Sequence, residues 1–180
     1  MRGDKPDEMI RNPMQWSSGP NGGFTSGVPW EGLQPDWMTK NVAAQEGDAG
    51  SLLNHYRRLI RLRNSHSALN RGMLTMVATN DAGGTIASWL RSDGEERVLV
   101  VVNFGGRAVA DLKAMVSPTV SGGGYRLESL YEDPVGSCGR PAISVDGTAV
   151  TIASIAAHGG CILRIHRNQE NLDGSTRIQP

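Results

Sequence analysis

The chain has 180 residues, with 18 Lys+Arg against 18 Asp+Glu and a formal net charge of zero. That length suits one domain, or one with an appendage, and falls short of the roughly 250 residues of a complete (β/α)8 barrel. Neutral charge argues against nucleic acid or a membrane surface as partner, and 23 glycines with 5% aromatics describe a turn-rich chain without a large aromatic core.

Residues 1–50 read as a long irregular segment. They hold five of the nine prolines, eight of the glycines and three of the four tryptophans (Trp16, Trp30, Trp37). GDKPDE, SSGPNGG and SGVPWEG are turn chemistry, with no sustained period of 2 or 3.6. An irregular stretch of this length is normally functional or detached from its support. The opening MRGDKPDEMIRN lacks the apolar stretch of a secretory signal. No apolar run is long enough to span a bilayer. A cytoplasmic setting follows if Met1 is the true start.

The character changes at Ser51. Leu52, Leu53, Tyr56, Leu59 and Ile60 follow the spacing of one helix face and form a candidate interface. Ser51 is a natural N-cap, and Asp48 lies just ahead of the positive helix end. Arg57, Arg58, Arg61 and Arg63 crowd the other side and the C-terminal half. Asn70 and Gly72 follow as stop signals. The pattern predicts a single helix over residues 51–70.

Residues 71–168 alternate between short strands and glycine turns. MLTMVAT, TIASWLR, RVLVVVNF, AVADLKAMV, YRLESLYED, AISVDGTAVTIA and GGCILRIHR give about seven strands, the pattern of an antiparallel β-sandwich or barrel. The expected fold class is therefore mainly β: a sandwich preceded by one amphipathic helix and a long irregular segment. Trp89 and Phe104 fall inside apolar strand patterns and are expected in the core. Residues 169–180 form a polar tail. Cys138 and Cys161 are too few for a disulfide scaffold and read as two buried thiols.

A self-contained active site is not visible. His55, His66, His158 and His166 show no metal-ligand spacing, and no nucleophile elbow or phosphate loop occurs. Gly122-Gly123-Gly124 precedes a strand rather than a helix, which reads as a turn. Asp4, Asp7, Glu8, Glu31 and Asp36 lie on loops. Retaining glycosidases need two carboxylates fixed about 5–5.5 Å apart, and loop acids give no warrant for that. The expectation is no catalytic residue, no metal and no cofactor in this chain.

The exception is Ile10-Arg11-Asn12-Pro13-Met14-Gln15-Trp16, with Gly23-Phe24-Thr25, Pro29-Trp30 and Asn41-Val42 after it. GDKPDEMIRNPMQW, GGFTSGVPWEGL, KNVAAQ and SLLNHYRRLIRLRNSHSAL, in this order, closely resemble the C-terminal part of α-amylase superfamily glycoside hydrolases (family 13). The likeness is best to the α-glucosidase, oligo-1,6-glucosidase and trehalose-synthase branch. It is strong over residues 1 to about 70 and continues by pattern to about 167. The family form of the first motif is R-T-P-M-Q-W, so Asn12 stands in place of threonine.

The resemblance implies a loop after barrel strand eight, the last barrel helix and the family's β-sandwich domain C. The family's nucleophile Asp, acid/base Glu and third Asp all precede this region, so the chain alone is expected to be inactive. Met1 falls where the family often has an internal methionine, which suggests the tail of a larger enzyme. Arg11 matches the arginine that, in exo-acting members, pairs with an aspartate from an early barrel loop and helps close the −1 sugar pocket. Trp16 and Trp30 are candidate sugar-stacking residues. Met14 and Gln15 read as loop packing. The implied partners are the missing catalytic barrel, or a second copy of the chain, with an α-glucan or oligosaccharide bound in the parent enzyme. The alternative reading is an independent carbohydrate-binding or assembly sandwich derived from a truncated hydrolase.

Overall fold

A computed structural model describes residues 10–116, 124–131, 138–144 and 147–167. The polar tail 169–180, Asp4, Asp7, Glu8 and most of the Gly122-Gly123-Gly124 turn lie outside the described residues. The chain forms two compact units, Met1–Arg61 and Leu62–Pro180.

In the first unit the irregular segment contains an α-helix that its composition hides, α1 (Val42–Gly47). Asn41 makes it. Its Oδ1 accepts from Ala44 N–H at 2.9 Å, while its Nδ2 donates to Trp37 O at 2.9 Å. Asn41 is buried, and these bonds satisfy it as an N-cap at both ends. The next helix, α2 (Leu52–Ser65), starts where the sequence places it. Ser51 Oγ accepts from Asn54 N–H at 3.2 Å, and Gln45 Oε1 accepts from Leu53 N–H at 3.0 Å. Two of the free amides of the first turn are thereby paired.

The single helix expected over residues 51–70 is two helices. α2 stops at Ser65, His66 is extended, and α3 (Ser67–Arg71) begins anew. The cause is a carboxylate from far along the chain. Glu96 Oε1 meets His66 Nδ1 at 2.6 Å, and Oε2 accepts from Ser67 Oγ and Ala68 N–H, both at 2.9 Å. Glu96 is thus an N-cap supplied from a β-strand. Gly72 ends α3, and a Cβ there would sit 2.4 Å from Ala68 O and 2.7 Å from Ser92 O, so only glycine fits.

Burial alone would raise the Glu96 carboxyl, but the bonds from Ala68 N–H, His66 and Ser67 outweigh it and lower its pKa from 4.5 to about 2. A depressed carboxylate pKa stabilises the fold above pH 4.5, and that stabilisation is lost as pH falls toward 2. Glu96→Gln is expected to cost about 1–2 kcal/mol at pH 7, the value of a charged cap. Urea melts should show the deficit shrinking at the acid end of this window, and a deficit independent of pH would contradict the assignment.

The second unit is an antiparallel two-sheet sandwich. The strands are β1 (Met73–Met76), β2 (Ala78–Thr79), β3 (Ile86–Asp93), β4 (Glu96–Asn103), β5 (Val109–Met115), β6 (Tyr125–Ser129), β7 (Pro141–Ile143), β8 (Ala149–Ile155) and β9 (Gly160–Arg167). One sheet runs β1-β3-β4-β9-β6 and the other β2-β5-β8-β7. Two of the seven expected segments each give two strands, so nine form among the described residues. Leu90, Leu99, Val101, Leu163 and Ile165 from the first sheet meet Leu112, Ala114, Val150, Ile152 and Ile155 from the second. This period-2 set, removed from water, is the main driving force of the fold. On the outer face of the larger sheet, Ala68 and Leu69 of α3 cover Val98, Val100 and the half-buried Trp89.

Two expectations fail here. Cys138 and Cys161 are not free thiols but a disulfide, with their Cα atoms 5.4 Å apart. Cys138 bridges Ile155 beside the second sheet, and Cys161 lies in β9 of the first, so the bond ties the sheets together. The strand pairing brings them within bonding reach, a closeness that their spacing along the chain does not reveal. Phe104 is not core either. It follows the last residue of β4, where the chain turns outward, and is 67% exposed.

Candidate functional site

The loop that starts at Ile10 is built by side-chain bonds to distant backbone. Asn12 Nδ2 donates to Gly32 O at 3.2 Å, and its Oδ1 accepts from Gln34 Nε2 at 2.7 Å. An amide places its donor and its acceptor on two separate atoms, where a threonine hydroxyl carries both on one oxygen. These bonds tie the Arg11 segment to the segment that carries Trp30. Gln15 Nε2 donates to Lys40 O at 2.6 Å, and the backbone oxygens of Gln15 and Trp16 accept from Val42 and Ala43 N–H at 3.0 Å. Gln15 is therefore a structural bolt between the loop and α1.

The turn between Trp16 and Trp30 is equally determined. Asn21, Gly22 and Gly23 all have positive φ, which folds the chain back so that Gly22 O accepts from Trp16 and Ser17 N–H at 2.8 and 2.9 Å. Asn21 and two glycines are the residues that tolerate three such steps in succession. Asn21 Nδ2 then donates to Thr25 O and Gly27 O.

On this scaffold the candidate residues face outward. Arg11 is exposed, Trp16 is 50% exposed and Trp30 59%. Met14 and Phe24 are also well exposed, whereas Pro13 is buried beneath the loop. The helix stripe divides in two. Leu52, Tyr56 and Ile60 are more than half exposed, while Leu53 and Leu59 are half-buried.

Among the described residues no group of three or more His, Cys, Asp or Glu side chains is placed to hold a metal. Asp36 pairs with Lys40 at 3.0 Å, and His166 with Glu128 on the outer face of the larger sheet, where Arg164 lies 3.7 Å from the same carboxylate. These are surface ion pairs of small energetic weight. The residue that sequence reasoning missed is Glu96. No local pattern marks it, because its partners lie about 30 positions away.

Residues 1–72 match the family model of the α-amylase catalytic domain. The chain is 40% identical over 98 residues to a probable α-glucosidase of Rhizobium meliloti, covering 54% of this chain and 17% of that protein. It is 33% identical over 133 residues to an oligo-1,6-glucosidase of Halalkalibacterium halodurans, covering 74% of this chain and 23% of that one. Among solved structures, trehalulose synthase of Pseudomonas mesoacidophila matches with a TM-score of 0.62 at 28% identity, over 86% of this chain and 25% of its own. Trehalose-6-phosphate hydrolase of Bacillus licheniformis shares the fold over 91% of this chain and 27% of its own, with a TM-score of 0.67 at 20% identity. The chain thus spans about a fifth of the length of the curated relatives it matches. By family match, relatives and fold together, the chain belongs to the α-amylase family of glycoside hydrolases (family 13) and spans a part of such an enzyme.

Proposed function

We propose that the chain is the C-terminal part of an exo-acting, retaining α-glucosidase: the loop after barrel strand eight, the last barrel helix and domain C. The supporting observation is the extent of the family match, which covers residues 1–72 and includes the exposed Arg11–Trp16 loop. In that setting Arg11 stands at the rim of the pocket for the terminal glucosyl unit. A guanidinium offers a rigid fork of donors to a carboxylate and to sugar hydroxyls together. Trp16 and Trp30 are at least half exposed on either side of the turn, and an exposed indole can stack on a sugar ring. The chemistry itself, a double displacement through a glycosyl-enzyme, belongs to a pair of carboxylates supplied by the rest of the barrel.

The 180-residue chain alone is then expected to turn over p-nitrophenyl α-glucoside, maltose and sucrose only at background. Turnover that a substitution in this chain abolishes would refute the reading. In an enzyme joining this segment to its barrel, Arg11→Ala should lower kcat/KM for maltose by roughly tenfold or more, the loss of one charged hydrogen bond in the pocket.

The exposed stripe Leu52, Tyr56 and Ile60 has two possible covers in this reading. Within the parent enzyme it is the catalytic barrel. For the chain by itself it is a second copy, joined through paired helices.

A further inference from the structure

The outer face of the four-stranded sheet carries a cavity of about 220 Å³ lined by Asp111, Lys113, Arg140, Thr151, Ile152 and Ala153. It lies in the second unit and owes nothing to the Arg11 loop. Its construction is specific. Asp111 sits in the middle of β5 with φ at +49°, a left-handed conformation that is costly for a side-chain-bearing residue in a strand. The β5–β8 ladder pairs Ala110 with Ser154 and Leu112 with Ile152 and skips the pair between them. Asn80 holds the kink. Its Nδ2 donates to Asp111 O at 3.1 Å and its Oδ1 accepts from Lys113 N–H at 2.7 Å.

The backbone that carries Arg140 is anchored from the other side, while its side chain, like those of Asp111 and Lys113, is exposed. Two residues before it, Cys138 is anchored by the disulfide to Cys161. Gly139 N–H donates to Ser154 O at 2.7 Å, and a Cβ at Gly139 would lie 2.5 Å from Ser154 Oγ. Only glycine lets this segment lie so close to β8. The small Ala153 leaves space where the unpaired step of the ladder occurs, and Thr151 lines it with its hydroxyl donating to Ala142 O at 3.2 Å.

Among the described residues, no salt bridge joins Asp111 to Lys113 or to Arg140. The cavity therefore offers two cationic donors and one carboxylate acceptor at once. Its volume equals that of only about seven waters, below the range for drug-sized ligands. A bare anion would use the cations and meet repulsion from Asp111. A neutral sugar would use Asp111 and offer the cations only uncharged oxygens, a weaker match than an anion.

We propose that this cavity binds a small hydroxylated anion, a sugar phosphate or a sugar acid. Arg140 and Lys113 hold the anionic group, and Asp111 accepts from neighbouring hydroxyls. The site is separate from the proposed catalytic role, so either can fail without the other.

The test is an NMR titration of the full 15N-labelled chain with glucose 6-phosphate, gluconate, glucose and inorganic phosphate. The expected result is saturable shifts of the Lys113, Thr151 and Ala153 amides with one or both hydroxylated anions. Glucose and phosphate should each bind at least about tenfold more weakly, since glucose brings no charge to the cations and phosphate no sugar hydroxyls to Asp111. Response to glucose 6-phosphate alone identifies a phosphate ligand, and to gluconate alone a carboxylate ligand. Arg140→Gln should weaken binding roughly tenfold, as should Lys113→Gln; the spectrum itself reports that either variant is folded. Asp111→Asn, which tolerates the positive φ, should weaken the hydroxylated anions and not inorganic phosphate. Absence of saturable shifts at these amides, indifference to both cation variants, or phosphate binding as tight as the sugar phosphate would overturn the proposal.

Discussion

Opening the Cys138–Cys161 bond is expected to lower the melting temperature of the sandwich by about 10 °C, from a loss of about 3 kcal/mol. The bond closes a loop with a sequence separation of 23. In the chain-entropy account, freeing such a loop in the unfolded state is worth slightly more than the ~3 kcal/mol of a 15-residue loop. Position adds to the effect. The second sheet's outermost strand, β7, spans only Pro141–Ile143, and the disulfide anchors the chain just before it. Calorimetry of the double variant Cys138→Ser/Cys161→Ser, beside the wild type with and without reductant, measures the shift. Reduction should move the wild type to the variant's melting temperature and leave the variant unchanged. Two titratable thiols in the denatured, unreduced wild type would show that the bond is absent.

The parts of the fold that were legible in the sequence are those set by local or periodic chemistry. Val98 to Val101 read as a central strand because β-branched and apolar side chains run without interruption, and all four are buried in β4. The α2 start was legible because Ser51 caps it directly. What was not legible depends on partners far apart in sequence. The break at His66 is imposed by Glu96, and a window around residue 66 shows only a helix with good stop signals further on. The cysteine pair needs the β8–β9 geometry before it can be recognised. α1 stayed hidden because its stability lies in Asn41 and in Gln15's bond to Lys40 O rather than in any apolar period.

The candidate site divides in the same way. Arg11, Trp16 and Trp30 were found by motif, and the structure adds why the loop holds its shape: Asn12, Gln15 and Asn21 each bond to backbone that sequence reasoning had not paired with them. The cavity at Asp111 had no sequence signal at all. Its elements are a positive φ, a glycine with no room for a Cβ and two cations on separate strands, and these meet only after the sheet has formed.

The chain in dilute solution is expected to sediment as a homodimer at tens of micromolar, and Tyr56→Glu is expected to return it to a monomer. Leu52, Tyr56 and Ile60 are spaced four apart, so they form one line along α2, and all three are more than half exposed. Burial of each side chain is worth roughly 1.5–3 kcal/mol, which makes the line too costly to leave in water if a partner is present. Arg57 and Arg58 do not intrude, because Glu46 holds the first at 2.8 Å and Ala49 O the second at 2.7 Å. A glutamate at residue 56 puts a charge in the centre of the stripe on both copies, facing its own image. Sedimentation velocity should therefore give twice the chain mass for the wild type and the chain mass for the variant. A wild type that sediments as a monomer at these concentrations, or a dimer indifferent to Tyr56→Glu, would end the helix-pairing model.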